Sequence, residues 1–215
     1  LLSYTPIPGK RGKLGIPLVL NMYELWPFWY TFFTNLGFEV HHSGFSTEKL
    51  YVLGQHTIPS DTVCYPAKLV HGHIAKLQID GFDTIFYPCM SYNIDEKKGD
   101  NHFNCPIVAY YPQTIENNVK DVQSIHFIHP FIGIHDKSIF EQKMKEHLKQ
   151  FKISKKEIKK ASTLAYQEYD AYLFELREQA SQIIAKARKN NQQIIVLAGR
   201  PYHVDPEINH GIPEL

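Results

Sequence analysis

The chain has 215 residues, 43% of them hydrophobic and 13% aromatic, enough to fill the core of one large domain or two small ones. Its 23 lysines and arginines stand against 22 aspartates and glutamates, and the net charge of +1 argues against a nucleic-acid or membrane-surface role driven by bulk charge. There is no run of 18 apolar residues and no charged-then-apolar leader pattern, and three cysteines are too few for a disulfide scaffold, so the expected setting is cytoplasmic.

Residues 1–13 carry Pro6, Pro8 and Gly9 among several charges and read as a lead-in segment. The run 14–20 is apolar and ends at Asn21, the form of a strand buried on both faces. Residues 23–36 place Leu25, Phe28, Trp29, Phe32, Phe33 and Leu36 on one broad helical face, Gly37 stops them, and 38–40 begin a second strand. Strand, helix, strand is the unit of a parallel sheet covered by helices. Ser46 and Thr47 open a second helix to about Gln55.

Next comes the stretch around which the chain is organised, 60–73. Ser60 or Asp61 suits a helix N-cap and Pro66 a first helical position, and Leu69, Val70, Ile74 and Leu77 recur at helical spacing. Cys64 then sits at a helix start, where the dipole favours the thiolate, the form that binds metals. Residues 84–87 form a strand ending at Pro88-Cys89-Met90, and 91–104 are polar and irregular. Cys105-Pro106 leads into 107–111, read as a strand closed by Pro112, and 124–128 read as another.

From Ser138 the pattern is helical. Between Ser154 and Asn190 the residues Ile158, Ala161, Ala165, Tyr169, Tyr172, Leu176, Ala180, Ile183 and Ala187 share one stripe, predicting either one helix of about 50 Å or two shorter ones broken near Tyr169 or Glu175. Residues 193–198 read as a buried strand leading into Arg200, His203 and Asp205, a polar stretch of the kind found at the carboxyl end of a strand. The fold class expected is α/β, a Rossmann-like three-layer parallel sheet with helices on both faces. Its divisions are 1–13, 14–150 carrying the cysteines, a helical 151–190, and 191–215 opening a second, truncated half. The chain is expected to be a piece of a longer polypeptide.

The cysteine spacing, C-x24-C-x15-C, matches no simple zinc-finger or ferredoxin pair, yet loops at one edge of a parallel sheet can bring Cys64, Cys89 and Cys105 together. The alternatives are three ordinary buried cysteines, or a structural zinc site. Lys68, one turn after Cys64, suits a counter-charge or a solvated lysine. His71 and His73, two apart, do not share a helical face and are better placed behind the ligands or at the surface. Asn21, Tyr23 and Glu24 lie at the end of the first strand, where the edge argument applies more weakly. Gly9 to Gly15 lacks the order of a P-loop and precedes a strand, so the chain by itself is not expected to be an ATPase.

The stretches 63–73, 86–90, 105–108 and 198–206 together resemble the domain of large CoA-substrate-specific enzyme activase-related proteins, which is similar to the iron-sulfur subunits of 2-hydroxyacyl-CoA dehydratases of anaerobic bacteria. The resemblance implies that Cys64, Cys89 and Cys105 ligate a 4Fe-4S cluster, readily lost in air, that leaves one iron free and takes part in electron transfer. It makes Lys68, His71, His73, Arg200, His203 and Asp205 candidates to stand behind the ligands or to meet substrate, with the catalytic residue itself undefined. It further implies ATPase activator modules, on the same longer polypeptide or on a partner chain, and a CoA thioester as ligand. The function expected is an iron-sulfur redox domain of such a lyase-related system, passing an electron to a partner or CoA thioester; the alternative is a metal-free docking domain of a larger ATPase-containing activator.

Overall fold

The computed structural model describes residues 3–214. Four strands, β1 (Lys13–Ile16), β2 (Glu39–His42), β3 (Thr84–Phe86) and β4 (His126–Ile128), form one parallel sheet in the order β2-β1-β3-β4. Among the described residues seven α-helices accompany them: α1 (Met22–Asn35), α2 (Glu48–Gly54), α3 (Tyr65–Ile79), α4 (Pro106–Asn118), α5 (Lys137–His147), α6 (Lys155–Lys189) and α7 (Pro206–Asn209). The chain runs from β1 through α1 to β2 on one side, then returns through α2 and α3 to β3 on the other. Because crossovers are right-handed, α1 and α3 fall on opposite faces. The contacts agree: α1, α6 and α5 form one helical group, and α2, α3 and α4 the other. The architecture is therefore the expected three-layer α/β type, and its order reverses between β1 and β3, where a crevice opens at the carboxyl edge.

Aromatic side chains make the core. Trp29 and Phe33 of α1 each lie 4.7 Å, centroid to centroid, from Phe86 of β3, and Phe28 and Phe32 close on Phe140 of α5 at 5.3 and 5.0 Å. The two alanines Ala161 and Ala165, one turn apart and fully buried, let α6 lie close against α1. The lead-in is fastened to the same helix by the Arg11–Glu157 ion pair at 2.8 Å and by Tyr4 donating to Glu168 at 2.6 Å.

Three expectations change. The first strand stops at Ile16, before Pro17, which cannot donate to a ladder. Residues 107–111 are not a strand: Cys105 caps and Pro106 opens α4, and Val108, Ala109, Tyr111, Pro112 and Ile115 are buried with helical periodicity, Pro112 lying inside the helix. Residues 193–198 form no strand either. Ile195 is 87% exposed and Val196 79%, and among the described residues no backbone N–H from 193 to 199 finds a backbone acceptor, because no strand lies beside them. The long helix is continuous, but its stripe is buried only from Ile158 to Tyr169, with Tyr172 and Leu173 partly covered.

The α2–α3 crossing rests on two glycines: a Cβ on Gly72 would meet the carbonyl of Leu50, and one on Gly54 would meet the backbone of Gly72. Since the obstacle is backbone, Gly72→Ala is expected to destabilise the protein by about 3 kcal/mol, read as a lower urea midpoint at unchanged slope; a loss below ~1 kcal/mol would mean that the helices can part.

Candidate functional site

The carboxyl edge of the sheet collects the loops after each strand. Cys64 and Cys105 are the N-caps of α3 and α4 and share nearly one backbone conformation, φ −62° with ψ 150° and 157°. A proline in the first turn stiffens each helix start, and neither thiol is used as a capping acceptor. Both are exposed, whereas Cys89 is 1% exposed. It extends β3 by one parallel bridge to Phe131, its N–H donating to the Pro130 carbonyl at 2.9 Å and its carbonyl accepting from Ile132 at 3.0 Å. Burial pushes the Cys89 thiol up to about 11, opposed by the Gln113 backbone N–H on α4.

What the cysteines share is Tyr87. Its phenol is fully enclosed and its hydroxyl has no hydrogen-bond partner. Its ionisation is held well above the ordinary range by burial first, then by the charges of Cys89, Tyr111, Cys105 and Cys64. Tyr202 is likewise raised by burial and by Cys105 and Cys64. Thiolates are the right ligands for iron, and the Tyr87 hydroxyl, buried without a partner, is a donor awaiting an acceptor. Among the described residues, no group of three or more Cys, His, Asp or Glu is placed so that it could hold a metal ion, the three cysteines included.

The histidines stand in the second helix layer, away from the surface. His73 lies between Ser43 Oγ (2.6 Å) and Ser46 Oγ (2.9 Å), and His71 between Thr57 Oγ1 (2.7 Å) and Tyr111 OH (3.0 Å). Neither has accessible surface, and burial lowers His71 to about 4 and His73 to about 3. His71 thus ties α3 to α4 through a phenol that burial and then Cys64 push up to about 12.

Asp205 is buried and holds the 200–214 segment against this edge. Its carboxylate accepts from the Tyr23 hydroxyl, from Ser46 N–H at 3.0 Å, and from Glu207 and Ile208 N–H at 3.0 and 3.3 Å as N-cap of α7. Tyr65, next to Cys64, donates to Glu207 at 2.7 Å. His203 turns inward on its own segment, accepting from the Arg200 N–H at 3.0 Å. Lys68 is partly exposed and makes no ion pair among the described residues.

Tyr87, Tyr111, Tyr202, Ser43 and Ser46 were not marked by the sequence. Only the adjacency of Tyr87 to Cys89 and the inclusion of Tyr202 in the 198–206 motif pointed toward them. Glu24, weakly marked, lies in the first turn of α1, and burial pushes its carboxyl up to about 7, Arg200 pulling it back and Glu96 adding to the rise.

A parallel sheet between two helical layers, with two helices at its carboxyl edge capped by cysteines, makes this a Rossmann-like α/β domain. Residues 13–215 match the family model described as CoA enzyme activase uncharacterised domain (DUF2229), and the chain belongs to that family. No curated protein and no solved structure matches it. No helix among the described residues is long and apolar enough to cross a membrane.

Two predictions follow from the buried polar groups. Each histidine is neutral when folded but takes up a proton on unfolding below its ordinary value of 6.5. Their contribution is intact above pH 6.5 and is lost as pH falls toward 4 and 3, on the order of 2 kcal/mol per ring by pH 5. Denaturant melts at pH 7.5 and 5 should show it, and His73→Asn should flatten the difference; an unchanged midpoint contradicts the assignment. Asp205→Ala should cost about 3 kcal/mol and expose 200–214 to proteases, since it removes a cap and strands a buried phenol. A protease-resistant segment in that variant would show that other contacts hold it.

Proposed function

We propose that this domain is the iron-sulfur redox part of a CoA enzyme activase system similar to the 2-hydroxyacyl-CoA dehydratases. In this reading Cys64, Cys89 and Cys105 hold a 4Fe-4S cluster, and the domain passes an electron to a partner or to a CoA thioester. The observation that carries it is the Tyr87 hydroxyl, buried without a partner at the edge where all three thiols influence it. Membership of the activase-domain family supports the setting. When bound, such a cluster supplies an electron and, at an iron without a protein ligand, a Lewis acid.

The chain's own residues would act around it. Tyr87 offers a hydrogen-bond donor to sulfur, and such bonds tune reduction potentials. Cys89 is held as a neutral thiol in the folded domain and must release its proton to ligate, so loading should release protons. His71 and Tyr111 keep α3 and α4, and with them the two capping cysteines, in fixed relation. Arg200, exposed, and Lys68, partly exposed, are the groups left to meet a thioester or partner in this reading, whereas Asp205 is buried with its carboxylate already filled and His203 is turned onto its own segment.

A second reading, a metal-free docking domain of a larger ATPase-containing activator, is favoured by a different observation. The distal half of α6 presents Phe174 and Ile183, 66% and 68% exposed, beside the exposed apolar run 194–197. Anaerobic purification of the protein and its Cys64→Ser variant, with iron and sulfide analysis and visible spectra before and after dithionite, separates the two. About four irons per chain and a bleachable brown absorption, lost in the variant, is the expected result. Colourless, iron-free protein from both preparations would leave the docking reading.

A further inference from the structure

A cavity of about 410 Å³ lies between the first turn of α1, the 91–104 loop, α6 and Arg200, within the range of small-molecule sites. It is lined by none of the three cysteines. Glu24 and Arg200 both border it, yet among the described residues neither has an ion-pair partner within 4.0 Å. A half-desolvated carboxyl and a guanidinium in one cavity, not touching each other, leave the cation's fork free for a third party.

The other charges around it fix the sign of that party. Glu96, on the loop, is engaged by Arg177 at 2.9 Å and by Lys98 at 3.8 Å. Facing Glu24 from the remaining elements are the phenols of Tyr169 and Tyr172 on α6 and Tyr202 on the C-terminal segment, all neutral because burial raises them. His102 of the loop lines the cavity and pairs with Asp95 at 3.2 Å. With Glu24 protonated, the lining Lys98 and Arg200 outweigh Glu96 by one positive charge. With Glu24 ionised that excess is gone.

We propose that this cavity binds a small monocarboxylate, its two oxygens taken by the Arg200 fork, with protonated Glu24 donating a hydrogen bond to the same anion, so that binding takes up a proton wherever Glu24 starts ionised. A planar, singly charged oxyanion matches the single excess charge, whereas a phosphate dianion would arrive with a second negative charge against Glu24 and Glu96. The site is independent of any metal at the cysteines.

The test is titration calorimetry of the intact protein with acetate and butyrate, and separately with inorganic phosphate, at pH 6 and pH 8 in buffers of different ionisation heat. Saturable carboxylate binding, about tenfold weaker at pH 8 than at pH 6, is expected from a group titrating near 7, with uptake of about 0.1 proton at pH 6 and about 0.9 at pH 8. Arg200→Gln should weaken it at least tenfold and Lys98→Gln a few-fold. Glu24→Gln should keep binding but lose the difference between pH 6 and 8, and Cys64→Ser should bind as the parent does. Phosphate binding tighter than carboxylate, unchanged affinity in Arg200→Gln, or no saturable binding at pH 6 would each overturn the proposal.

Discussion

The carboxylate of Asp205 is the constraint on which the working edge of this fold depends. A buried charge is tolerated only when its lone pairs are filled, and here the donors come from α1, from the loop after β2 and from the start of α7. One side chain therefore joins the N-terminal βαβ unit to a segment some 160–180 residues later in the chain. Ser46 serves twice: its N–H binds Asp205, and its hydroxyl meets His73, which in turn reaches Ser43. The network is enclosed and shared among four segments, so its members are ordered together.

Both candidate sites inherit their geometry from that fastening. It brings Tyr202 near Cys64 and Cys105 and sets Glu207 against Tyr65, the residue after Cys64. It also carries Arg200 to the cavity that Glu24 borders. The sheet supplies the other half of the arrangement: Glu24 follows β1 and Cys89 follows β3, and these are the two strands between which the order reverses. Neighbouring loops there diverge to opposite faces, which opens space for groups that would otherwise be packed.

Much of the fold was legible because its periodicities are strong. The aromatic face of α1, the Cys64 helix start and the four sheet strands all came from local pattern, as did the N-terminus of α6, where Ser154 and Glu157 form a capping box. Two apolar runs were misread for opposite reasons. In 107–111 the β-branched and aromatic residues imitate a strand, but the Cys105-Pro106 cap and the burial of every third or fourth residue give a helix that tolerates Pro112. In 193–198 the composition is that of a strand, but a strand exists only through a neighbour, which local sequence does not reveal. Of the candidate site, the sequence marked the three cysteines and Asp205, which the structure sets on helix starts, after β3 and in the buried network at the carboxyl edge. The serines and tyrosines that complete it are ordinary in sequence and gain their role only from enclosure.

The same reasoning gives the two halves of α6 different meanings. From Ile158 to Tyr169 the stripe is buried against α1, and Tyr172 and Leu173 still pack partly against the core. Farther on the spacing continues exposed, through Leu176, at 47% exposure, and Ile183. Propensity and charge pairs can maintain a helix in water, so these apolar residues are not needed for helicity. Nor do they stabilise the fold while exposed. Apolar residues at core spacing, on a helix whose first half already serves the core, therefore form an exposed apolar surface, and the exposed run at 194–197 follows the end of that same helix in the chain.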